Sequence, residues 1–103
     1  MYTVADPDLI AVTARLRSSL DDARGKLRAR DALRLAGLEC RTQVRMEVVT
    51  KAMRQLGWDH GRYRFNGALE SAYRRGGSLE RDVVLDVDRA DDGQLVVMRR
   101  ELP

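Results

Sequence analysis

Asn66-Gly67 constrains this chain more than any other pair of residues. A type I′ turn needs positive φ at both central positions, which Asn and Gly tolerate and most residues do not. Ahead of it, Arg62-Tyr63-Arg64-Phe65 alternates strictly between cationic and aromatic side chains. That is the period of a half-buried strand with both arginines on one face. The return segment, Ala68 to Arg75, is ambiguous: Leu69, Ser71 and Tyr73 alternate as a strand would, yet the run also holds good helix formers. A hairpin turn needs a partner strand, so strand is favoured there. Gly76-Gly77 then reads as a break.

The residues before the hairpin read as three helices. Asp6-Pro7-Asp8 is a helix start, with Asp6 as cap, Pro7 at the first helical position and Asp8 at the positive end of the dipole. Leu9, Val12, Leu16, Leu20 and Ala23 follow at helical spacing, which predicts a helix over 7–24 ended by Gly25. Lys26-Leu27-Arg28 is a short extended piece in which Leu27 alone points inward. Ala29 to Ala36 reads as a short helix burying Ala32, Leu33 and Ala36 and closed by Gly37. A third helix over 42–56, capped by Thr42, buries Met46, Val49, Ala52, Met53 and Leu56 and stops at Gly57. Its opposite face carries Gln43, Glu47, Thr50, Lys51 and Arg54, with Arg41 and Arg45 at its start. Trp58, directly after the glycine, is expected to anchor the helix end in the core. Asp59-His60-Gly61 reads as a turn with His60 on the surface.

Beyond the glycine break, Leu79 to Asp88 places Val83, Leu85 and Val87 on one face and Asp82, Asp86 and Asp88 on the other. Ala90 to Gly93 is a turn, and Leu95 to Met98 returns as a second hairpin. It can extend the sheet of the first hairpin or pair by its edge with another copy.

Charge is distributed unevenly among these parts. Residues 1–40 hold seven Lys/Arg against six Asp/Glu, residues 41–75 eight against three, and residues 76–103 four against seven. The +3 formal charge of the 103-residue chain therefore gathers on the third helix and first hairpin, as expected of a surface that meets a polyanion. The single Cys40 excludes an internal disulfide and suits a reducing cytoplasm. No signal peptide or membrane span is evident. Neither a nucleophile elbow nor a Cys-His pair occurs, and His60 has no metal-spaced partner. Asp82, Asp86, Asp88, Asp91 and Asp92 do not match an EF-hand loop. No enzyme activity and no cofactor are expected.

Leu56-Gly57-Trp58, the basic strand Arg62 to Phe65, Asn66-Gly67 and Tyr73 to Gly76 together resemble the winged-helix modules appended to phage and plasmid primase-helicase proteins. The likeness runs from about Leu27 to Gly76, although the Ala68-Leu69-Glu70-Ser71 run is less basic than such wings. No Gly-rich phosphate loop is present, so the resemblance implies a free-standing module. The expected fold class is α+β: one winged helix-turn-helix domain over 1–103, with helices and β-hairpin wing at 7–76 and an extra C-terminal β-hairpin at 78–101. The expected function is non-enzymatic binding of duplex DNA, as in transcription regulation. Gln43, Thr50, Lys51 and Arg54 of the 42–56 helix would enter the major groove, with Arg41 and Arg45 at its start. Arg62, Arg64, Arg74 and Arg75 would clamp phosphates. The alternative is an adaptor or phage-type regulator binding a protein partner or a second copy. Convergence of the hairpin arginines with Lys51 and Arg54 would favour DNA. Their pairing with Asp82, Asp86 and Asp88 would favour the alternative. A homodimer is compatible with either reading.

Overall fold

The computed structural model describes residues 9–38, 43–76 and 83–101. The Asp6-Pro7-Asp8 helix start, Cys40, Arg41, Thr42, Leu79 and Asp82 lie outside that set. The elements in order are α1 (Leu9–Leu20), β1 (Gly25–Arg28), α2 (Ala29–Leu35), α3 (Gln43–Gln55), β2 (Asp59–Phe65), β3 (Ala68–Arg75), β4 (Val83–Arg89) and β5 (Leu95–Glu101). Three helices and one five-stranded mixed sheet, ordered β2-β3-β1-β4-β5, make the fold α+β.

Local chemistry explains most of the boundaries. α1 buries Val12, Leu16 and Leu20, and the hydroxyl of buried Thr13 donates to the Leu9 carbonyl at 2.6 Å. The helix ends at Leu20 rather than at Gly25, because Asp21 turns to φ +44 and its N–H still reaches the Arg17 carbonyl at 2.8 Å. Gly25 instead begins β1 and has a steric duty there: a Cβ would lie 2.7 Å from the Val83 carbonyl oxygen, where β4 passes closely. α2 and α3 close alike, with Gly37 and Gly57 at positive φ. The next residue donates back across the turn, Leu38 to Leu33 at 2.8 Å and Trp58 to Met53 at 2.9 Å. This is the Schellman pattern, which satisfies carbonyls that a helix end leaves open.

The sheet is built on β1. β3 lies antiparallel to β1, with Leu27 opposite Tyr73, and β4 lies parallel to it, with Leu27 opposite Leu85. The second hairpin therefore extends the sheet from β1, at the far side from the first hairpin. Asn66 (φ +51) and Gly67 (φ +85) turn the first hairpin as a type I′ turn requires, and Ala68–Arg75 is strand throughout. Asp59 and His60 are the first residues of β2 and not a turn.

The two faces of the sheet differ. On one, Leu27, Tyr73, Val83, Leu85 and Val87 pack with the three helices and with Trp58, which is only 1% exposed. From α3 this core takes Val48, Val49, Ala52 and Met53, with Met46 of α3 and Leu56 just after it only partly buried. On the other face, which follows from strand alternation, Phe65 packs with Ala72 and Val84 beside partly buried Tyr63. Lys26 and Arg28 belong to this second face and are buried, so Leu27 is not alone in pointing inward. The Lys26 ammonium donates to the Arg64 carbonyl at 2.7 Å, and the Arg28 guanidinium lies 4.5 Å from the Phe65 ring centre. These contacts curl the tip of the first hairpin towards the face that the helices leave uncovered.

Candidate nucleic-acid interface

Ten cationic or polar side chains are expected at the interface, and the fold sorts them into distinct groups. Arg41 lies outside the described residues. Gln43 begins α3, but its side chain is not among those described. Arg45 is half-buried on the first turns of α3. Thr50 does not face outward as a reading residue: its hydroxyl is 2.8 Å from that of buried Tyr73. A threonine hydroxyl committed there joins α3 to β3. His60 on β2 continues this tie, since its ring lies 5.1 Å from Tyr73 and 3.2 Å from the Ser71 hydroxyl. A row of contacts thus runs from the middle of α3 across β3 to β2.

Lys51 and Arg54 are exposed on α3 next to that row, Arg54 one helical turn beyond Thr50. Neither makes a hydrogen bond or ion pair among the described residues. Arg62 stands opposite Ser71, one step of the strand alternation beyond the His60–Tyr73 pair and on the same face. It too is without a polar partner among the described residues. Arg64 lies one further step towards the tip and, among the described residues, donates only to the Gly67 carbonyl, at 3.3 Å. Arg30, in the first turn of α2, adds a cation that the sequence did not single out. A cleft of about 200 Å³ separates it from Arg62, lined also by Arg28, Leu69, Glu70 and Ser71. The signal that could have found Arg30 is topological: α2 starts directly from β1, beside the strand that faces Arg62.

Arg74 and Arg75 part company. Arg74 stands opposite Asp59, on the face away from the helices, and so does not join Lys51 and Arg54. Arg75 turns the other way and is consumed by the fold. Its guanidinium donates to the carbonyls of Asp21 (2.6 Å), Ala23 (2.8 and 3.0 Å) and Leu56 (3.0 Å) and lies 4.8 Å from the Trp58 ring centre. Burial lowers its pKa from the ordinary arginine value, with Arg24 adding to the effect and Asp22 and Asp21 opposing it. Arginine stays protonated regardless. The residue ties the end of α1 to the end of α3 and is corrected from phosphate clamp to structural cation.

Three acids are engaged by arginines of the fold, while Asp88 of β4 is exposed and Asp82 lies outside the described residues. Asp86 receives Arg28 at 3.2 Å and Arg100 at 3.0 Å, and Glu70 receives Arg28 at 3.3 Å. Asp31 receives Arg34 at 3.2 Å. Among the described residues, no group of three or more His, Cys, Asp and Glu side chains could hold a metal ion, and no helix is long and apolar enough to cross a membrane. Comparison of the chain with protein families, curated proteins and solved structures finds no match.

Proposed function

We propose that this domain is a winged helix that binds nucleic acid, most simply duplex DNA, with α3 in the major groove and the β2–β3 hairpin against the phosphates. Two features of the architecture support the fold reading: the element order α1-β1-α2-α3-β2-β3, and the antiparallel seat of β1 on β3. One observation carries the functional reading. The fold spends Arg28, Arg34, Arg75 and Arg100 on its own acids and carbonyls, while Lys51, Arg54 and Arg62 are left unpaired among the described residues, on α3 and the adjoining strand. Unspent cations on α3 and on the strand it leads into supply the electrostatic part of polyanion binding. Lys51 and Arg54 are the reading and anchoring residues of α3 in this proposal. Arg62 and Arg64 contact the backbone, and Arg30 extends the same surface across the cleft.

Fluorescence anisotropy with a mixed-sequence DNA duplex, at low and at moderate salt, tests the proposal. The wild-type chain is expected to bind in the micromolar range and to weaken steeply with salt. The double variant Arg62→Ala/Arg64→Ala should bind more weakly, its log-log salt slope shallower by about two units, one for each phosphate that is no longer neutralised. Absence of binding even at low salt would overturn the reading and leave the winged helix as a protein-binding module.

A further inference from the structure

β5 is an edge of the sheet, with β4 on one side and no strand among the described residues on the other. Edges offer unpaired N–H and C=O groups, and proteins usually guard them with proline, charge or a bulge. Here the first four residues are Leu95-Val96-Val97-Met98. The register with β4 is unbroken from Val83 opposite Glu101 to Arg89 opposite Leu95, so no bulge twists the edge away. On the uncovered face Val96 and Met98 are 42% and 47% exposed.

The phase of the ladder tells which backbone groups point outward. The Ala90 N–H donates to the Gln94 carbonyl at 2.7 Å, which makes that pair a hydrogen-bonded one. Bonded and non-bonded pairs alternate along an antiparallel ladder. Val96, Met98 and Arg100 therefore spend their backbone groups on β4. Leu95, Val97 and Arg99 turn theirs to the open edge. Charge is also polarised along the strand: Asp91 and Asp92 stand exposed in the turn before it, while Arg99 and Arg100 follow its apolar part. Arg100 is already paired with Asp86, so the self-complementarity of the reversed strand rests on its open backbone edge and its exposed apolar row.

We infer that a second copy of this chain adds to β5, antiparallel about a two-fold axis through Val97, so that two sheets join edge to edge. In this register Val97 meets Val97 of the second copy and Leu95 meets Arg99, each pair exchanging hydrogen bonds through the outward backbone groups. On the uncovered face Val96 meets Met98 twice, so the exposed apolar side chains cover one another. The second copy's Arg100, paired with its own Asp86, arrives opposite Gln94. A register centred on Arg99 would instead set that arginine against itself. The cost of the chosen register is that the second copy's Arg99 approaches the side of Arg89, where both charges remain screened by water. A single strand pair is a small interface, so the dimer is concentration-dependent.

Sedimentation equilibrium of the full chain without nucleic acid tests this separately from the DNA-binding reading. The expected result is a mass of one chain at low micromolar concentration rising to twice that value at high micromolar concentration. Met98→Lys, at an exposed site, should hold the mass at one chain with an unchanged circular dichroism spectrum. Val97→Pro should do the same, because the N–H it removes faces the open edge and not β4. A wild-type mass that never rises, or a dimer that survives Met98→Lys, overturns the inference. Should Val97→Pro fail to fold, Met98→Lys decides alone.

Discussion

The two hairpins that flank β1 are built alike and finished differently. Both are antiparallel, and both turns hold a glycine at φ +85, Gly67 in one and Gly93 in the other. The first buries Phe65 on the uncovered face and presents Arg62 and Arg64 on the face that meets α3. In the second, the wet-face acid Asp86 is neutralised by Arg28 and Arg100, leaving an apolar outer row at Val96 and Met98. Backbone geometry makes the hairpin in each case. What the hairpin offers to a partner is decided by which side chains the fold has already used.

The sharpest way to break this comparison is inside the first hairpin, at two adjacent arginines. Arg75→Ala removes a guanidinium bonded to the carbonyls of Asp21, Ala23 and Leu56, and charged hydrogen bonds contribute about 1.5–3 kcal/mol. The urea midpoint should fall accordingly, and Arg75→Lys should recover little of it, since an ammonium cannot reproduce the planar fork. Arg74→Ala should move stability by less than about 0.5 kcal/mol. Equal destabilisation at the two positions would show that the division between spent and unspent cations is misplaced.

That division is also where sequence reading ends. The hairpins, the α2 and α3 stops at Gly37 and Gly57, and the burial of Trp58 are legible because each rests on residues within a few positions of one another. The Asn66-Gly67 turn needs no distant partner to be recognised. The fates of Arg74 and Arg75 do: strand alternation sends them to opposite faces, and Arg75 finds its acceptors at Asp21 and Ala23, far away in the chain. Lys26 and Arg28 read as surface cations, yet they are buried against Phe65, with Arg28 paired to Glu70 and Asp86, because β3 and β4 close around β1. Thr50 reads as an outward residue because nothing local announces a hydroxyl partner at Tyr73. The end of α1 is misread for the opposite reason: Gly25 is a strong local stop signal, but its conformation serves the approach of Val83.

The turns provide a balanced test. An alanine Cβ at Gly67 or Gly93 would meet no atom within 4 Å, so neither substitution incurs a clash. What remains is the left-handed backbone, which costs an L-residue roughly 1–2 kcal/mol. Gly67→Ala and Gly93→Ala should therefore destabilise by similar amounts in thermal or urea unfolding. A much larger effect at Gly67 would mean that the curled tip, held by Lys26 on the Arg64 carbonyl, supports the whole fold. A much larger effect at Gly93 would shift that role to the second hairpin.

The smallest effect on stability carries the most information about use. Leu69 and Val96 are both apolar and exposed, 51% and 42%, one on each hairpin. Leu69→Lys and Val96→Lys should each leave stability within about 0.5 kcal/mol of wild type, as expected for exposed sites with little to lose. Their effects on duplex DNA should differ. Leu69 stands opposite Arg64 and lines the cleft with Arg30 and Arg62, so a lysine there neutralises one more phosphate and steepens the salt slope by about one unit. Val96 lies on the strand at the other edge of the sheet, where an added charge should not strengthen binding. Equal strengthening by both substitutions would mean that net charge alone governs the interaction, and that the arrangement of α3 with the first hairpin contributes nothing specific.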